Sequence, residues 1–278
     1  MTTIISEGLL ELPWDSRDFN LGKIDEVKIR AMPVSYEIED LLVESQGSTD
    51  FCTGFAITKA SEVQEGMRLN PLYQFAKTKE ISGNWDRWGA NLRDACKSAV
   101  KFGSIEQSIA PYDITTPRKD LHWEKWDIDY DTEAMKHRKK SYFSVDRGDV
   151  YEDIKYALWK YNSPVMTGTM WRHAWTRSED GIIPEYYTPE GFGHAFLFTG
   201  WKVIEGTEYL IAHSSNGIFI GDEGRFYFPK HTVEREIGRY GLFVFIDLDP
   251  EDYKRDKWSR YQKIINFIIR LRNKYVKR

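Results

Sequence analysis

Cysteine is scarce: Cys52 and Cys96 are the only two in 278 residues. That excludes a disulfide framework and favours a reducing location. No run approaches the eighteen or so consecutive apolar residues that a membrane-spanning helix needs. The opening stretch, Met1-Thr-Thr-Ile-Ile-Ser-Glu-Gly8, has no basic region followed by an apolar run, so it does not read as a secretory signal. No Cys, His, Asp or Glu grouping has metal-ligand spacing, and no phosphate-cradling or dinucleotide-binding glycine pattern occurs. Neither metal nor cofactor is expected. Internal repeats and low-complexity segments are also missing. What remains is a globular chain, expected in the cytoplasm or built into a virion or other large assembly.

Its content fits that class. Hydrophobic residues make up 41% and charged residues 29%, while aromatics reach 15% with ten tryptophans, enough for a bulky core. The net charge of −4 is unevenly spread. Residues 251–278 hold ten Lys/Arg against three Asp/Glu, so the acidic body ends in a basic tail.

Along the chain, residues 1–45 read as extended and loop-rich, with Leu12–Phe19 a turn or lead-in strand. From Asp50, Phe51, Phe55, Ala60 and Val63 recur at helical spacing, with Ser48, Thr49 or Asp50 available as N-cap. A second helix starts at Asn70-Pro71, and a third spans Asn91 to a glycine cap at Gly103. Residues 113–140 read as a polar connecting excursion, and Val150–Tyr161 as an amphipathic helix. Short aromatic and β-branched runs follow: Pro164–Met170, Ala195–Trp201, Glu208–Ala212, Gly224–Phe228 and Gly241–Ile246. The expectation is an α+β domain over 1–250. Its helical lobe covers about 46–115 and its antiparallel sheet or barrel lobe about 140–248 plus the N-terminal segment, with a cleft between them.

Two residues carry the chemistry. Cys52 falls at a predicted helix start, where free backbone N–H groups and the helix dipole are expected to lower a thiol's pKa. His194 lies in Phe192-Gly-His194-Ala-Phe196, at the opening of a strand, where it is available as a base. Cys96 sits mid-helix among Leu92, Ala99 and Val100 and reads as core. The other five histidines, His122, His137, His173, His213 and His231, are assigned to surface or structure.

The wider pattern resembles the papain-like cysteine peptidases, of the bacterial and phage type without a propeptide. Gln46-Gly-x-x-x-x-Cys52 is similar to that family's Gln-Gly-x-x-x-x-Cys element, and Gly193-His194-Ala195 to its Asn/Gly-His-Ala. Gly221-Asp-Glu-Gly224-Arg-Phe-Tyr-Phe228 is similar to its Gly-Asp/Glu-x-Gly-Tyr segment. The likeness covers about residues 10–247, in order, and the Cys-to-His spacing of about 140 residues fits the family's range. It implies a two-lobed papain-like fold and a cysteine peptidase acting on a peptide or protein. Cys52 would be the nucleophile, His194 the base, and Gln46 with the Cys52 backbone N–H the oxyanion hole.

One departure stands out. Where the family has Asn-Ser-Trp-Gly, this chain has Ser214-Ser215-Asn216-Gly217, which puts Ser214 at the position that orients the histidine. A two-residue slip would put Asn216 there instead. The Ser214-Ser215-Asn216 replacement and a docking-like C-terminal tail motivate a rival reading: a catalytically weakened papain-like domain serving as a structural or binding subunit of a larger assembly. Another thiol chemistry, such as a peptidoglycan amidase or transglutaminase, is also compatible with the Cys-then-His order. Trp171-Arg-His-Ala-Trp175 is read as packing, with a place on the cleft rim as the alternative.

Residues 251–278 form a basic amphipathic helix in this reading, with Trp258, Tyr261, Ile264, Ile265, Ile268 and Ile269 on one face. Docking onto protein, including self-association, is preferred over a membrane surface or nucleic acid.

Overall fold

The computed structural model describes residues 8–11, 32–38, 42–122, 126, 128–145, 148–184 and 190–246. All belong to the first of two compact units, Met1–Ile246. The basic helix expected over 251–278 and the turn expected over Leu12–Phe19 lie outside the described residues.

The central helix α1 (Cys52–Glu65) is buried along one residue after another from Cys52 to Glu62. Such a helix needs small or apolar residues on every side, and Thr53, Gly54, Ala56, Ala60 and Ser61 supply the small ones. The cap expected from Ser48, Thr49 or Asp50 does not form: the N-cap position is Phe51, with no side-chain cap bond. Two of those three polar side chains are spent elsewhere. Thr49 Oγ1 donates to the Gln46 carbonyl at 2.7 Å. Asp50 Oδ2 accepts from the Gly89 amide at 2.6 Å and from Arg118 at 3.1 Å. Helix α2 (Pro71–Ser82) starts as the sequence predicts, with Asn70 Oδ1 accepting from the amides of Leu72 and Tyr73. Helix α3 (Leu92–Lys101) is capped by Asn91. It ends at Phe102, and Gly103 makes the left-handed exit one residue later.

The excursion over 113–140 is more ordered than expected. It holds a 3-10 turn at Arg118–Leu121 and a short helix α4 (Ile128–Ala134).

The sheet is built from β1 (Tyr36–Glu37), β2 (Ser141–Ser144), β3 (Val165–Arg172), β4 (Gly191–Ile204), β5 (Thr207–His213), β6 (Arg225–Pro229) and β7 (Leu242–Ile246). The strand order is β2-β7-β3-β4-β5-β6, with β1 paired to β4. The strands pair antiparallel and the sheet is open rather than a closed barrel. Strand β4 divides the core by alternation. Ala195 and Leu197 pack with Cys52, Ala56 and Cys96 of α1 and α3. Phe196 and Phe198 enter an aromatic cluster with Trp171, Trp175, Phe226 and Phe228, closed by helix α5 (Val150–Tyr161). Trp171 and Trp175 are therefore core, their rings edge-to-face at 5.6 Å. So is Cys96, as expected.

Candidate functional site

Three stretches of chain converge on one point. The first is the loop that leads into α1. Its Gln46 amide donates to the Ser215 carbonyl at 2.8 Å, and Ser45 bridges Asn216 antiparallel, so residues 45–46 and 215–216 form a short ladder. The second is the first turn of α1 with Cys52, and the third is the start of β4 with His194. Gln46, Cys52 and His194 are all fully buried, and Ser214 is nearly so.

His194 Nε2 pairs with Ser214 Oγ at 3.0 Å. Its Nδ1 has no hydrogen-bond partner among the described residues. The ring packs edge-on against Trp171 at 5.3 Å and Phe192 at 6.0 Å, which fixes its plane. Asn216 stays on the ladder with Ser45, and among the described residues its side-chain nitrogen has no hydrogen-bond partner. The backbone amide of Ala195, the residue after His194, points at the Cys52 sulfur, as does that of Thr53. The thiol thus lies against the residue that follows the imidazole on β4.

The uncapped start of α1 leaves amides free for the sulfur, as its position suggests. The expected drop in thiol pKa nevertheless does not follow. Burial pushes the Cys52 thiol up to about 12, and Asp50 adds to the rise, outweighing the amides of Ala195 and Thr53. Burial also depresses the His194 imidazole to about 3. Both groups are neutral at pH 7 in this arrangement.

Residues 8–11 contribute to the burial of Cys52. Gly8 and Leu9 donate their amides to the Gly193 carbonyl, each at 3.1 Å. On the other side Leu10 donates to the Ala90 carbonyl and Ala90 to the Gly8 carbonyl, both at 2.9 Å, pairing Leu9 and Ala90 in parallel. Gly8 crosses the thiol so closely that a Cβ there would lie 2.8 Å from Cys52 Sγ and 2.7 Å from the Asp50 carbonyl oxygen. The Leu9 side chain fills a slot over Gly168, where any Cβ would strike it, and packs with Cys52, Met166, Ala195 and Tyr240. Glu11 pairs with Arg239.

Gln46 is held at both ends. Its Nε2 donates to the Thr49 carbonyl at 2.7 Å and its Oε1 accepts from Ser215 Oγ at 2.5 Å. Among the described residues no group of three or more His, Cys, Asp or Glu side chains is placed to hold a metal.

Sequence reasoning named Gln46, Cys52, His194 and Ser214; the structure pairs His194 with Ser214, ties Gln46 to Ser215, and sets Cys52 against Ala195, the residue after His194. It missed Ser215, whose only signal was its place next to Ser214. It also missed residues 8–11, where the apolar pair Leu9-Leu10 after a glycine was too short to read.

No protein-family model matches the chain. A curated cysteine protease of Blomia tropicalis is 20% identical over 215 residues, covering 73% of this chain and 60% of that protein. The chain therefore spans less than two thirds of that relative's length. Among solved structures, xylellain, a cysteine protease from Xylella fastidiosa, is 20% identical with a TM-score of 0.73, covering 88% of this chain and 97% of its own. The bromelain protease from Ananas comosus is 16% identical with a TM-score of 0.59, covering 77% of this chain and all (100%) of that one.

Proposed function

We propose that this chain, whose α+β fold is that of the papain-like cysteine peptidases, is a thiol hydrolase that cleaves peptide bonds. Cys52 attacks the carbonyl carbon, its proton passes to Nδ1 of His194, and the imidazolium then protonates the leaving amine. Ser214 holds the other ring nitrogen, and Gln46 with the Cys52 backbone N–H receives the oxyanion. Water attacks the acyl-enzyme and restores the thiol.

The observation that carries this reading is the division of His194. One ring nitrogen is engaged by Ser214 at 3.0 Å, while the other is fully buried and unpartnered. Buried His213 also leaves its ring nitrogens without a hydrogen bond among the described residues, so the weight falls on the Ser214 bond together with the Cys52 sulfur lying against Ala195, the residue after His194. A shorter serine in place of an asparagine keeps the bond because β5 delivers Ser214 close to the ring.

A second reading rests on the closure. With the thiol at about 12 and the imidazole at about 3, the covered site holds no thiolate at neutral pH. That favours a papain-like scaffold acting as a structural or binding subunit unless residues 8–11 move. Incubating the full-length chain with a peptidyl epoxide and a panel of fluorogenic peptide amides separates the two. Hydrolysis with covalent labelling at Cys52, both lost in Cys52→Ala and sharply reduced in His194→Ala, supports the enzyme. Labelling of Cys52 no faster than Cys96 and indifferent to His194, with no turnover, supports the scaffold.

A further inference from the structure

Lys79, in the last turn of α2, is fully buried, an unusual place for an ammonium. Its three donors converge on one loop: Nζ donates to the carbonyls of Asn84 at 3.3 Å, Arg87 at 2.5 Å and Gly89. The Phe75 ring lies 5.4 Å from the same nitrogen. Arg118 holds the loop as well, through the carbonyls of Arg87 at 3.0 Å and Asp86 at 3.5 Å. Charged side chains brace this loop and no disulfide does, since both cysteines are free.

The Gly89 carbonyl is the one that matters for the site. It belongs to the peptide group joining Gly89 to Ala90, and the N–H of that same group donates to the Gly8 carbonyl at 2.9 Å. Lys79 thus grips one end of an amide whose other end holds the chain crossing Cys52. The next carbonyl, that of Ala90, receives the Leu10 amide at 2.9 Å, so Ala90 offers a donor and an acceptor to an extended strand. A cation on the carbonyl polarises the amide and strengthens its N–H as a donor. Asp50, two residues before Cys52, accepts the Gly89 amide at 2.6 Å and ties the loop to the segment that carries the thiol. The crossing chain runs so close that a Cβ on Gly89, whose φ is +71°, would lie 2.2 Å from the Gly8 carbonyl oxygen.

On the hydrolase reading above, we infer that Lys79 is a positioning residue for peptide binding: through the Gly89 carbonyl it aims the Ala90 N–H at any extended chain laid over Cys52, substrate or residues 8–11. It acts through the loop and not on the reacting atoms. Its loss therefore weakens binding in the ground state and the transition state alike, raising KM and sparing kcat.

The test uses the full-length chain carrying Leu9→Asp, so that residues 8–11 do not compete, and two fluorogenic amides: a tripeptide, long enough to pair with Ala90, and a single amino acid, which is not. Lys79→Met is expected to raise KM for the tripeptide about tenfold with kcat within about twofold, and to leave both constants for the short amide within about twofold. Lys79→Ala behaves the same; propylammonium chloride, which replaces the missing ammonium, restores KM, and tetramethylammonium chloride, which has no N–H, does not. Lys79→Gln, with fewer donors, gives an intermediate rise and replaces the methionine variant if that does not fold. With Leu9 in place, Lys79→Met also loosens residues 8–11, and iodoacetamide alkylates Cys52 about tenfold faster. An unchanged KM for the tripeptide, an equal loss with both amides, rescue by both salts alike, or alkylation no faster than in the wild type would each overturn the inference. A chain with Lys79 intact that hydrolyses neither amide and labels no faster at Cys52 than at Cys96 overturns the hydrolase reading, and this inference with it.

Discussion

Burial of His194 makes a prediction about acid. The imidazole's folded pKa is depressed from an ordinary 6.5 to about 3, with loss of hydration as the cause. A group depressed in this way contributes stability that is complete above its unfolded pKa and is lost as pH falls towards its folded one. At 1.36 kcal/mol per pH unit, roughly 5 kcal/mol is at stake between those limits, of which about 2 kcal/mol is gone by pH 5. The perturbation is His194→Gln, which keeps a side-chain amide within reach of Ser214 but does not titrate. Urea unfolding of both proteins at pH 7.5 and pH 5.0 isolates this group, because every other titrating group is shared. The wild type should lose about 2 kcal/mol more than the variant over that interval. Equal losses would mean that the folded imidazole titrates normally, so that water reaches it, and the argument from closure fails.

Other changes test the neighbouring pieces. Leu9→Asp puts a carboxylate into the slot over Gly168 and should expel residues 8–11; alkylation of Cys52 at pH 7 then rises at least about tenfold. An unchanged rate would show that these residues do not limit access to the thiol. Glu62, almost wholly buried, accepts from Lys59 at 2.6 Å, Arg68 at 3.0 Å and the Leu69 amide at 2.9 Å. Glu62→Ala should therefore cost about 3 kcal/mol in urea unfolding, and a cost below about 1 kcal/mol would contradict that pairing.

Much of this was legible from the residues. Asn70-Pro71 and Asn91 announce helices because a capping side chain and a proline act locally. The five runs from Pro164 onward each become a strand, since aromatic and β-branched residues suit a pleated, buried surface. What escaped depends on tertiary context. Thr49 and Asp50 have the chemistry of an N-cap, but Gln46, Gly89 and Arg118 compete for them. Strands Ser141–Ser144 and Tyr36–Glu37 are short and exist because Leu242–Ile246 and Gly191–Ile204 offer them an edge. The thiol's pKa was misjudged because a helix terminus can be read from sequence and desolvation cannot. Residues 8–11 are held by backbone bonds to Ala90 and Gly193, partners that no local pattern names.

Residues 8–11 are part of the same chain as the sulfur they cross. A tethered segment meets its site at an effective concentration of the order of millimolar, set by the tether and not by the amount of protein in the tube. Dilution, which frees a site from a separate inhibitor, leaves this one covered to the same extent at nanomolar as at micromolar. On the hydrolase reading, a peptide arriving from solution competes against that fixed local concentration.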